Sequence, residues 1–283
     1  ASLGGSVAGG EYNVAVGNYT LDALTSGDYN TAVGYNAGTD LTTGERNTFI
    51  GHEAGKDCIG GGQNVCIGDA AGSGALSAAE GRNIAIGRNA GQSMTSTTGN
   101  VLIGYEAGRA HNYDGASYVT MAGYQAGEDQ TTSAYNTGFG AFNQKSSDTE
   151  SHNTSFGYYA MNGANGGGEY NTALGSYVMS DASQSGDFNT GVGWRALYGN
   201  TSGNKNTCVG YKAGTALTTG NNSVYVGYLS GDIVTTGTAN TAVGDESLTD
   251  LTEGNGNTAL GAVAGDNVTT GGQNVFLGQD TKA

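Results

Sequence analysis

The chain has no proline, one tryptophan, three cysteines and three histidines, and only ten of its 283 residues are Lys or Arg. Without proline, and without glycine at every third position, its 53 glycines cannot belong to a collagen triple helix. Ten cations against 25 acidic residues leave a net charge of −15. So little positive charge cannot neutralise a phosphate backbone, which excludes nucleic acid as a partner, and it holds no anionic membrane surface. There is no run of eighteen apolar residues, so membrane insertion is not expected. No signal-peptide pattern opens the chain at Ala1, and an exported form is expected to have lost its targeting segment or to leave by cell lysis.

Catalytic chemistry is equally scarce. Cys58, Cys66 and Cys208 form no Cys-x-x-Cys pair. Cys66 and Cys208 stand where other repeats carry Ala, which makes them small buried hydrophobes. His52, His111 and His152 fall at different repeat positions, with no acid at motif spacing. No nucleophile elbow, phosphate loop, zinc spacing or calcium nonapeptide occurs. The expectation is a protein that is not an enzyme and needs no cofactor or metal.

What the chain does contain is a repeat. A five-residue unit, Asn-Thr-Ala-Val-Gly in its clearest form, occurs sixteen times between residues 13 and 278 and closes on Gly17, Gly34, Gly51 and so on to Gly278. Of the fifteen steps between those glycines, eleven are 17 residues, two are 18 and two are 19. After Asn comes Thr, Val or Ile, and two residues later a larger hydrophobe such as Val33, Ile50, Ile86, Phe139 or Leu260. Residues two apart share one face of a strand, so this pair is expected to face the interior. The residue between them (Ala32, Cys66, Gly138, Ser155) is expected to face outward, where its small size suits close packing against a neighbouring chain. A second apolar position (Leu24, Leu41, Met94, Leu217, Val234, Leu251, Val268) predicts a weaker strand, and Ala-Gly and Thr-Thr-Gly mark the corners.

A 17-residue unit is too short for a core of its own and suits one coil of a solenoid. The predicted fold is therefore all-β, a repetitive β-solenoid or β-roll of about sixteen 17-residue coils. At about 4.8 Å per coil it forms a rod of roughly 75 Å. Residues 1–12 read as a lead-in or cap, 13–278 as the solenoid and 279–283 as a tail. Longer steps near 70–82, 106–118, 160–170 and 178–188 place extra residues in corners. The terminal segments look too plain for strong caps, which points to end-to-end stacking or to flanking domains.

Fourteen of the sixteen units open with Asn: Asn13, Asn30, Asn47, Asn64, Asn83, Asn100, Asn136, Asn153, Asn171, Asn189, Asn206, Asn240, Asn257 and Asn274. Stacked amides one coil apart make a ladder. Aromatic residues follow the repeat glycine at Tyr35, Tyr105, Tyr124, Tyr158, Trp194, Tyr211 and Tyr228. They read either as a stripe that binds sugar or packs on another chain, or as covers for the corners. Glycosylation sequons stand at Asn18, Asn153, Asn200, Asn221 and Asn267, as a surface option only. Ice binding through threonine rows is disfavoured here, because the most regular Thr is expected to face inward.

Residues 27–38, Gly-Asp-Tyr-Asn-Thr-Ala-Val-Gly-Tyr-Asn-Ala-Gly, and 193–203 resemble the repeats of phage-type tail-fibre and related bacterial surface proteins. The Asn-Thr-Ala-Val-Gly core is also similar to the repeat of trimeric autotransporter adhesin heads, which fold as a β-roll with a shorter coil. The resemblance spans residues 13–278 and implies a homotrimeric fibre whose three chains share a core, outside a cell or on a virion. The expected role is a structural shaft that self-associates, as a trimer or an end-to-end filament. The alternative is an adhesin module that recognises a cell-surface glycan or receptor through its aromatic flank.

Overall fold

In a computed structural model of the protein, the described residues are 9–77, 81–147, 149–163, 167–181 and 184–282, and they contain no helix. The chain divides into two compact units, residues 1–149 and 150–283. Each is a parallel β-solenoid. In the first, eight three-residue strands follow one another at the repeat spacing: β1 Val14–Val16, β2 Thr31–Val33, β3 Thr48–Ile50, β4 Val65–Ile67, β5 Ile84–Ile86, β7 Val101–Ile103, β9 Thr120–Ala122 and β10 Thr137–Phe139. Two shorter strands, β6 Thr97–Thr98 and β8 Gly115–Ala116, pair beside them and use the longer step near 106–118. The second unit holds eight more: β11 Thr154–Phe156, β12 Thr172–Leu174, β13 Thr190–Val192, β14 Thr207–Val209, β15 Val224–Val226, β16 Thr241–Val243, β17 Thr258–Leu260 and β18 Val275–Leu277. Within each unit every strand pairs in parallel with the equivalent residues one coil away, as in Thr31↔Thr48 and Val33↔Ile50. The extra residues 78–80, 164–166 and 182–183, like residues 1–8 and 283, lie outside the described part.

The strands are short because both ends are fixed by backbone chemistry. The repeat glycine has φ between +111° and +148°, a region that side chains disfavour. A Cβ on Gly34 would also collide with the carbonyl of Gly51 one coil away. The corners are harder to explain, for thirty-six of the described residues other than glycine also have positive φ, among them Tyr29 (59°), Asn36 (55°) and Val263 (57°). Each left-handed residue costs about 1 kcal/mol. What holds them there is the preceding coil: the Tyr29 N–H donates to Glu11 O (3.0 Å) and the Asn36 N–H to Asn18 O (3.0 Å). The second apolar position lies in a bend rather than in the weak strand expected, although coils still bond there, as from the Thr218 N–H to Thr235 O (2.8 Å).

The interior corrects the expected facing of the main strand. Its middle residue points inward: Ala32, Phe49, Cys66, Leu102, Met121, Cys208 and Tyr225 are all fully buried. The flanking Thr/Val and Val/Ile/Phe/Leu point outward, with Ile50 38% and Leu174 40% exposed. The physical reason is the narrow coil. Its interior admits one side chain from the strand, and the Ala and Leu of the turns, such as Ala37 and Leu41, supply the rest. Facing the larger pair inward would overfill it.

One relation keeps that interior full. The strand's middle residue and the residue six positions later share the same space. Where the strand supplies Phe49, Leu102 or Tyr225, the later residue is Gly55, Gly108 or Gly231, and a Cβ on any of them would strike that side chain. Where the strand supplies Ala15, Ser155, Ala173, Gly191 or Ala242, the later residue is Leu21, Met161, Met179, Leu197 or Leu248. Three coils are small at both positions: Ala32/Gly38, Ala85/Gly91 and Ala259/Gly265. The next coil fills them with Phe49, Leu102 and Phe276.

Candidate functional site

The asparagines form a continuous device along each unit. The Asn30 Nδ2 donates to Gly44 O (2.9 Å), closing the start of its coil onto the end, and the Asn30 Oδ1 accepts from the Asn47 backbone N–H (2.9 Å) and Nδ2 (3.1 Å). The same pattern recurs from Asn13 to Asn83 and through Asn171, Asn189, Asn206, Asn240 and Asn257. Asn64, Asn100, Asn136 and Asn153 are buried in the same column, and Asn274, at its far end, donates to the Asn257 Oδ1 (3.1 and 3.0 Å). Two units lack the Asn. Ser223 takes the place directly, its N–H donating to Asn206 Oδ1 (3.0 Å) and its Oγ accepting from the Asn240 N–H (3.2 Å). At Val119 the hydroxyl comes from outside the column: Ser117 Oγ donates to Asn100 Oδ1 (2.7 Å) and lies 3.0 Å from His111 Nε2. That histidine replaces the usual Leu or Met, and burial depresses its pKa to about 4, so it stays neutral.

A second ladder, not foreseen from the sequence, runs on the outside of the second unit and points the other way. The N–H groups of Glu169, Asp187 and Asn204 donate to the side-chain oxygens of Asp187, Asn204 and Asn221 one coil later (2.8, 2.7 and 2.7 Å). Only its irregular composition (Asp, Asn, Thr) hid it.

The outward face of the strands is the largest regular surface. Two rows run along it in each unit, Thr, Val or Ile on one side and Val, Ile, Phe, Leu or, once, Ala on the other, all half-buried or exposed. Eight strands at about 4.8 Å give a patch on the order of 400 Å² per unit. A patch of that size is as large as the largest on a typical monomer, and such patches are often functional. The outward Thr removes the objection to ice binding drawn from an inward one, yet the adjoining row changes from Val to Phe to Leu and offers no constant spacing of groups.

Beside that face stand the aromatic columns. Trp194, Tyr211 and Tyr228 stack with centroids 4.9 and 5.1 Å apart, Tyr105 on Tyr124 at 5.0 Å, and Tyr35 on His52 at 5.5 Å. Tyr158 packs edge-on with Tyr177 at 5.6 Å. All except the half-buried Tyr105 and Tyr177 are exposed. A parallel column before the Asn includes Tyr12 on Tyr29 (4.9 Å) and Tyr170 on Phe188 (5.1 Å).

The remaining sequence candidates fall apart spatially. Of the sequons, Asn18 and Asn267 are exposed, and Asn221 is half-buried in the outer ladder. Asn153 and Asn200 are buried and hydrogen-bonded to Gly168 O and Gly203 O, so neither has room for a glycan, which removes both as surface options. The three thiols are buried and unpaired. Burial raises Cys58 to about 12 and pushes Cys66 and Cys208 higher still, so none reacts in the folded chain. Among the described residues no three His, Cys, Asp or Glu side chains are grouped to hold a metal ion, and no helix is long and apolar enough to cross a membrane. Comparison with protein-family models, curated proteins and solved structures found no match to this chain.

Proposed function

We propose that the chain is the repeat shaft of an extracellular or virion fibre, a structural element that self-associates and holds apart what it connects. One observation carries this reading: each unit keeps a straight double row of Thr/Val and Val/Ile/Phe/Leu on its outward sheet face, while its own interior is already full. Side chains of that type, repeated at strand spacing, fit a second copy of themselves, and a closed ring of copies buries every face equally. A homotrimer follows from the resemblance of the repeats, and an end-to-end filament is the other way to use the same chain.

Light scattering and electron microscopy of one sample test this. The expected particle has about three times the 28.3 kDa chain mass, or is a filament of such units. Ile67→Glu with Ile86→Glu, which puts two charges on the outward row, reduces it to single chains of unchanged circular dichroism. A wild-type particle that is strictly monomeric sinks the proposal.

The exposed aromatic columns favour a second reading, an adhesin module that binds a surface glycan along its flank. Rings that remain open to a small solute quencher in the assembled particle support it, and rings shielded by partner chains return them to the shaft.

A further inference from the structure

The cations divide unevenly between the units. In the first, Arg46, Lys56, Arg88, Arg109 and Lys145 each pair with a carboxylate, at 2.8 to 3.4 Å. In the second, Lys282 pairs with Asp266 and Asp280, whereas Arg195 and Lys212 form no ion pair with a described residue, and both lie against the same ring. The Arg195 Cζ is 5.3 Å from the centroid of Trp194 and 4.1 Å from that of Tyr198. The Lys212 Nζ is 5.8 Å from Trp194 and 5.7 Å from Tyr211. In a chain of net charge −15, two cations on one tryptophan run against the overall charge.

The same place is concave. Tyr211 stacks on Trp194 from the following coil, but the preceding coil has Ser176 at that position, so the column has no further ring. There a cleft of about 350 Å³ opens, lined by Tyr177, Trp194, Arg195 and Tyr198. Trp194 is 38% exposed. A flat aromatic wall receives the C–H face of a pyranose ring, and a guanidinium held over a tyrosine pairs with a carboxylate in fork geometry.

We infer that this cleft binds an acidic saccharide, a pyranose bearing a carboxylate, with the ring on Trp194 and the carboxylate on Arg195. The inference rests on the adhesin reading and sharpens it, naming the ligand class and the coil that takes it. It leaves the shaft reading independent.

Trp194 is the chain's one tryptophan, so its fluorescence reports this cleft alone. The assembled protein is titrated with glucuronate-, galacturonate- and sialate-containing oligosaccharides and with a neutral glucose oligosaccharide of equal length. At least one acidic sugar is expected to change the emission saturably, with an apparent Kd about tenfold tighter than the neutral one and weakened by added salt. Arg195→Gln removes that preference without unfolding the coil, because Gln125 occupies the same corner with the same positive φ (52°). Equal response to acidic and neutral sugars overturns the acidic class and keeps glycan binding. No response to any of the four overturns both. An undiminished acidic preference in Arg195→Gln overturns the assigned site.

Discussion

The coil of Phe49 and the coil of Leu197 enclose the same space from opposite walls. In the first the strand provides the bulk and the corner six residues on is Gly55; in the second the strand shrinks to Gly191 and the corner grows to Leu197. Both corners are left-handed, at φ 59° and 51°, so the backbone is common and only the filling moves. What the repeat holds constant is therefore a volume and a set of hydrogen bonds rather than a hydrophobic residue at one position. The last coil of the first unit shows how far this goes. There Gly138 faces Gln144, whose Oε1 accepts from Gln130 Nε2 (3.0 Å), and the apolar core gives way to a polar one with the same outline.

The largest expected effect comes from exchanging the two modes. Phe49→Ala alone should lose about 4 kcal/mol through cavity formation. Gly55→Leu alone should fail for want of space. The pair together, copying Ala242/Leu248, should recover more than half of the loss in a denaturant titration. Equal or additive losses in the double variant would break the idea of a shared volume.

The ladder tests what both modes have in common. Asn47→Ala strands the Asn64 N–H and the Gly61 carbonyl in the interior and should cost about 3 kcal/mol, whereas Asn47→Ser, the solution found at Ser223, should cost clearly less. Melting curves of the two variants check the order.

His111 sharpens the contrast between apolar and polar filling through pH. Its folded pKa of about 4 lies below the ordinary 6.5, so the unfolded chain takes up the proton first. The contribution is whole above pH 6.5 and declines as pH falls towards 4, with about 2 kcal/mol lost by pH 5. His111→Leu, matching Leu41 and Leu217, should flatten the stability profile over that window. Smallest of all, Tyr211→Ser interrupts an exposed stack and should shift stability by less than about 1 kcal/mol.

Much of this fold is legible in the sequence, because the period and closing glycine recur through all sixteen units and the opening asparagine through fourteen, each a backbone requirement. The facing of the strand is not. In Thr-Ala-Val the alternation rule sends the two larger residues inward, and a three-residue strand gives it no further positions to weigh. The usable signal lay in the middle residue itself, whose size runs from Gly138 to Tyr225 and tends to fall where that of the residue six later rises. Tyr29, Arg46 and Val263 carry no mark of a left-handed corner either, since the coil above imposes it. The columns of Tyr and Trp could be placed beside the repeat glycine, but the pairing of Arg195 and Lys212 on one indole depends on a distance across coils.

The buried thiols turn the molecule into its own clock. Cys58 and Cys66 belong to the first unit and Cys208 to the second, and each can meet an alkylating reagent only when its coil opens. Modification rates at the three sites, followed by mass spectrometry without any engineered label, report how coils part company. One shared rate means that opening either unit opens the other. A rate for Cys208 separate from that of Cys58 and Cys66 means that each unit breathes on its own time.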